Sequence, residues 1–137
     1  MARYSGISAA KLAAGSTTVD LENVEAVEIS EVEGRTITQP GDNDAGETFA
    51  DVIDRQRRWS VRLRDLAAAD GIGQGRWDSL EFTIAGLGEA SDRTYTLAGG
   101  GVLVERIDHD HRHGRASAAT VRGRALFDGQ TDPLSVA

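Results

Sequence analysis

RQRRWSVRL, residues 55–63, is the stretch from which the fold is read. Trp59, Val61 and Leu63 alternate with Arg58, Ser60, Arg62 and Arg64, so a strand here has one apolar face and one basic face. Upstream, Val24 to Val32 is a second alternating run, with a slip near Ala26 that a β-bulge, or a strand buried on one face at each end, would explain. Leu21, Val24, Glu25 and Glu28 also have helical spacing, but the β-branched Val24, Val27, Ile29 and Val32 favour a strand. Between the two runs lies Glu33 to Ala50, EGRTITQPGDNDAGETFA, polar and containing glycine. Strand, long excursion, strand is the layout of a hairpin with an oversized arm. A loop beyond about 12–15 residues in a compact domain is usually functional or disordered. Phe49, Val52 and Ile53 admit two readings: apolar residues of an arm that docks onto something, or the start of the next core strand.

Working outward, Tyr4 to Leu12 reads as a short strand or a weak helix, with a small hairpin turning at Gly15 preferred because Thr17, Thr18 and Val19 favour extended structure. Asp65 to Ala69 is a short helical turn. Trp77 to Ala85 is a strand with Leu80, Phe82 and Ile84 on one face. Two further pieces, RTYTLA and VLVERI, are separated by Gly99-Gly100-Gly101, which predicts a bulge or a sharp bend where backbones approach closely. Ala116 to Phe127 alternates again, Val121, Gly123 and Ala125 opposite Thr120, Arg122 and Arg124. The tail from Asp128 to Ala137 reads as irregular. The expected architecture is mainly β: an antiparallel β-sandwich or barrel of six or seven strands, with one short helix and a long inter-strand loop, in a single domain over residues 1–137.

Composition fits a soluble globular chain, with 39% hydrophobic and 27% charged residues. Aromatics are only 5%, so Val, Leu, Ile and Ala must form most of the core. The absence of cysteine excludes disulfides, thiol catalysis and cysteine metal sites. No apolar run reaches the ~20 residues that span a bilayer, and no signal peptide is read at the N-terminus. A net charge of −7 makes the chain a poor candidate for gripping nucleic acid. The charges are unevenly placed. Acids crowd Asp20 to Asp54, arginines crowd Arg55 to Arg64 and Arg106 to Arg124, and Lys11 is the one lysine. That segregation is either an ordinary solvated surface or a means for copies to pair, since Arg binds carboxylates in planar, multidentate fashion.

Candidate chemistry is sparse. Asp42-Asn43-Asp44 lacks the spacing and distant bidentate Glu of a calcium loop and reads as turn chemistry. Gly71, Gly73 and Gly75 lack the P-loop lysine and a βαβ context, and read as a connector. Asp108-His109-Asp110-His111-Arg112-His113 holds all the histidines of the chain. In extended backbone His109, His111 and His113 point one way and form a weak alternative metal site; a solvent-facing turn before Gly114 is the default. There is no G-x-S-x-G and no Ser/His/Asp set, so no enzyme activity, catalytic residue or cofactor is expected.

The order of elements resembles the tail tube (major tail) proteins of long-tailed bacteriophages, a family extending to injection-system tubes. Gly15-Ser16-Thr17-Thr18 followed by Val24 to Ile29 is similar to that family's opening hairpin and first long strand. Glu33 to Ala50 is similar to its long loop, and Trp59-Ser60-Val61-Arg62-Leu63 to the returning strand. Leu80-Glu81-Phe82-Thr83, Thr94-Tyr95-Thr96-Leu97, Val102-Leu103-Val104 and Ala118 to Leu126 follow in matching order. The helical segment near Leu66 is short, and the histidine cluster is foreign to the pattern. The resemblance implies a virion structural protein that self-assembles into stacked hexameric rings, a conduit for DNA delivery that DNA transits without specific binding. It implies a place in the virion tail after assembly in the bacterial host cytoplasm, with tape measure and tail tip or baseplate proteins as partners and no membrane. Arg35, Ile37, Phe49 and Arg55 are the expected subunit contacts. The competing expectations are a monomeric β-sandwich that binds carbohydrate or peptide, and a head-to-tail connector or tail-completion protein that forms one ring.

Overall fold

The computed structural model describes residues 3–40 and 47–137, with the backbone alone at 39, 40 and 47–49. In chain order the elements are β1 (Arg3–Ala14), β2 (Thr17–Leu21), β3 (Val24–Ile29), β4 (Glu33–Pro40), β5 (Glu47–Leu63), α1 (Leu66–Asp70), β6 (Gly75–Trp77), β7 (Ser79–Leu87), β8 (Arg93–Leu97), β9 (Val102–Asp110), β10 (Ala118–Leu126) and β11 (Leu134–Val136). One sheet has the order β11-β8-β7-β1-β2 and the other β3-β5-β10-β9-β6, with β4 paired to β5 off that path. Strand pairing is antiparallel throughout.

The expected mainly-β, antiparallel architecture with one short helix is present, as two packed sheets rather than a closed barrel. Eleven strands are described rather than six or seven, because short strands carry too little pattern to read and one run divides in two. The Trp77 to Ala85 run divides at Asp78: Trp77 ends β6 in one sheet and Ser79 begins β7 in the other. Asp78 fixes that crossing, its N–H donating to Ala13 C=O at 2.8 Å and its carboxylate accepting from Gly15 N–H at 2.6 Å. The tail is not wholly irregular, since β11 pairs with β8. The long loop is also a correction. Arg35 to Thr38 pairs with Ala50 to Ile53, so the arm is a two-stranded ribbon. The turn expected at Pro40 to Asp44 falls mostly outside the described residues, and with it the rejected calcium loop.

The core lies between the sheets. Leu12 and Leu80 from the first sheet meet Val61, Leu63, Val102, Val104 and Val121 from the second, all essentially sealed from water. Burying each such side chain contributes about 1.5–3 kcal/mol. The period-two pattern fixes these faces, because a one-residue slip would turn every apolar residue to solvent. The slip near Ala26 is real: the register of β3 on β5 shifts between Val24 and Ala26. Asp65 caps α1, its Oδ1 accepting from Ala68 N–H at 3.2 Å, and the segment lays Ala69 and Ile72 onto the core.

Gly123 and Gly100 are among the glycines dictated by close approach. A Cβ on Gly123 would stand 1.7 Å from Leu103 O, at the bulge where β10 crosses from Arg122 to Gly123 against β9. Trp59 sits opposite Gly123 on β5, its ring occupying the space a side chain would take. At the expected glycine bend, a Cβ on Gly100 would lie 2.4 Å from Phe127 O.

Candidate subunit interface

β5 is seventeen residues long and serves two structures. Its C-terminal part, Gln56 to Leu63, lies between β10 and the β3–β4 side, with Trp59, Val61 and Leu63 in the core. Its N-terminal part runs on beyond β10 and β3 and, among the described residues, pairs with β4 alone. The two parts meet at an irregularity: the register shifts between Glu33–Gln56 and Arg35–Ile53, and Asp54 adopts φ 57°. A non-glycine residue in left-handed conformation at such a shift marks a bulge that re-aims the strand.

The four expected contact residues all lie on this ribbon. Arg35 is exposed and pairs with Asp54 at 3.3 Å. Ile37 is half-buried, opposite Asp51 in register. Phe49 is opposite Gln39, two places further along the same ladder; its side chain lies outside the described residues. Arg55 reaches back along its own strand, its Nε donating to Val52 C=O at 3.2 Å and its Nη2 lying 3.9 Å from Asp51 Oδ1. Sequence reasoning passed over Asp51 and Asp54. The four-residue spacing of Asp51 and Arg55 suggests pairing only once the local backbone is known.

The ribbon root is tied to the body by charge. Arg57 makes two bonds to Asp132, Nε to Oδ1 at 2.8 Å and Nη2 to Oδ2 at 2.6 Å, and donates from Nη1 to Ser30 C=O at 2.9 Å. The Arg57 bond holds the Asp132 carboxyl below the usual carboxylate range, aided by the Leu134 N–H, and raises the guanidinium in turn. Arg58 meets Glu33 at 3.1 Å. Arg64 and Arg62 share Glu25 at 2.5 and 2.8 Å, and Arg64 first, then Arg62, lowers its carboxyl. Arg106 and Arg122 share Asp108, and Arg124 meets Glu105. The arginine and acid blocks of the sequence thus meet within one chain.

The outer face of the second sheet carries an open groove of about 550 Å³, lined by Glu28, Arg58, Ser60, Arg106, Arg122 and Arg124 among others. The histidines lie at one end of this sheet. His109 is in β9 and His111 just beyond it, both exposed, with their rings stacked at 5.4 Å between centroids. His113 is in the turn that leads to β10. Among the described residues no three His, Cys, Asp or Glu side chains converge as a metal-ligating group. Asp110 is engaged by Arg62 and Arg112. No described helix is long and apolar enough to cross a membrane. No known protein-family model matches the chain, and no curated protein matches it.

Proposed function

We propose that the chain is a self-assembling structural subunit of the tail-tube kind, with the β4–β5 ribbon as the arm that joins copies. One observation carries this reading. Among the described residues, no side chain between Glu33 and Gln56 belongs to the buried core, and β4 pairs with β5 alone. Ordering an extended ribbon costs roughly 1–2 kcal/mol of backbone entropy per residue. An element that adds so little to its own core is accounted for by a contact made elsewhere. Stacked hexameric rings in a virion tail, with DNA passing through without specific contact, are the assembly this reading expects. Tape measure and tip or baseplate proteins would be its neighbours. An acidic chain of net charge −7 suits a conduit that repels DNA. The groove favours a second reading, a monomeric module holding a carbohydrate or peptide among the arginine and glutamate side chains that line it.

Electron microscopy of concentrated protein separates the readings: tubes for a tube subunit, single rings for a connector, featureless monomers for a binding module. A ribbon-shortened chain tests the arm. Because Ile37 faces Asp51, deleting residues 38–48 with Phe49→Asn and Ala50→Gly leaves a two-residue hairpin turn of favourable sequence. It is expected to keep the β circular-dichroism spectrum and to form no rings or tubes. Undiminished assembly would remove the ribbon from the interface.

A further inference from the structure

β10 ends opposite Gln56, so among the described residues β5 beyond that point has β4 on one side and no strand on the other, only an open pocket shared with the segment from Leu126 to Gln130. Such a margin is a template on which another chain can add a strand. At Val52 it is closed. The Val52 N–H donates to Asp51 Oδ1 at 2.8 Å, and the Val52 C=O accepts from Arg55 Nε at 3.2 Å. Asp51 and Arg55 also face one another at 3.9 Å, so a single carboxylate–guanidinium pair covers the donor and the acceptor of one residue. Ile53 C=O is directed at β4, where it would stand 2.9 Å from a Cβ on Gly34, and successive carbonyls of a strand alternate in direction, so the Val52 groups face away from Thr36 and Thr36–Val52 takes the place of a non-hydrogen-bonded pair of the ribbon. The flanking Arg35–Ile53 and Ile37–Asp51 pairs then carry the ladder. Val52 is also one of the exposed large apolar residues, so an added strand would find it adhesive as well as unpaired.

We propose that Asp51 and Arg55 guard the outer margin of β5 against strand addition by a second copy, leaving the outer margin of β4 as the side of the ribbon open to backbone pairing. Arg55 is thereby assigned to its own strand rather than to a neighbour's surface. The guard stands whether or not rings form, and its tests are made on the dilute chain.

Asp51→Ala with Arg55→Ala removes one acid and one base, so the net charge stays at −7 and colloidal repulsion is unaltered. The variant is expected to self-associate at roughly tenfold lower concentration by sedimentation, the worth of about two regained backbone hydrogen bonds. Adding Val52→Pro deletes the outward donor at a position where the ribbon does not use it, and is expected to restore the original association. In Asp51→Ala alone, the Val52 amide is expected to exchange with deuterium about tenfold faster in the monomer. Association unchanged in the double variant, or raised but not reversed by Val52→Pro, overturns the guard. A Val52 amide indifferent to Asp51→Ala overturns it independently.

Discussion

Trp59 and Trp77 are both buried, and they differ in one atom's surroundings. Trp77 Nε1 donates to Gly73 C=O at 3.0 Å, whereas Trp59 Nε1 is buried with no partner among the described residues. A buried donor left unmade costs about 1–3 kcal/mol. Trp59 persists because its ring covers Gly123, the one position on β10 where a side chain would strike Leu103 O. Covering a strand glycine with an aromatic ring compensates for the missing Cβ. Phe supplies that cover without the indole N–H. Trp59→Phe is therefore expected to leave stability within about 1 kcal/mol of wild type, the lost ring volume offset by relief of the unpaired donor. Trp77→Phe loses a made hydrogen bond and is expected to cost about 1–2 kcal/mol. Urea melts of the two variants check the order; equal losses would mean that the Trp59 donor finds a partner in solution.

Among the elements, the long alternating strands were legible and the short ones were not. Trp59-Val61-Leu63, Leu80-Phe82 and Val121-Gly123-Ala125 each show enough alternation to fix both strand and buried face, and each lies as expected. β6 and β11 have three residues apiece, too few for any period, and are strands because a neighbour supplies the ladder. β4 and the start of β5 were hidden for another reason: of their described side chains before Gln56 only Ile37 and Ile53 are even half-buried, so no buried apolar alternation marks them. The ion pairs were visible only as two charged blocks, since cross-strand register decides which acid meets which arginine. Arg57 and Asp132 are such a pair, joining the ribbon root to the segment leading into β11. The folded Asp132 carboxyl lies below its unfolded value of about 3.9, so its stabilisation is present above that pH and is lost as pH falls through the folded value. Asp132 is 41% exposed, which limits the contribution to about 1 kcal/mol or less. Asp132→Asn should therefore be less stable than wild type at neutral pH, and the gap should close below about pH 4. A gap that stays constant down to about pH 2 would assign the effect to packing rather than charge.

At the scale of the whole molecule, the same internal pairing bears on the proposed association of copies. Had the acidic and basic blocks remained apart, copies would attract through them, and salt would weaken assembly. Instead Glu25, Glu33, Glu105, Asp108 and Asp132 are each engaged by arginines of their own chain. Two copies then approach as bodies of net charge −7 that repel over a distance set by salt. Screening shortens that reach from about 30 Å at 0.01 M to about 8 Å at 0.15 M ionic strength. The contacts proposed at the ribbon, through apolar side chains and backbone, would be far less sensitive to salt over this range. Association is therefore expected to strengthen as ionic strength rises from about 0.01 M to about 0.15 M, followed by sedimentation or light scattering at fixed protein concentration. Weakening over the same range would mean that ion pairs re-form between copies and that the internal network opens on assembly. In that case Arg35 and Asp54, an exposed pair on the ribbon, would be the first to exchange partners, and charge reversal at both together would restore what reversal at either one removes.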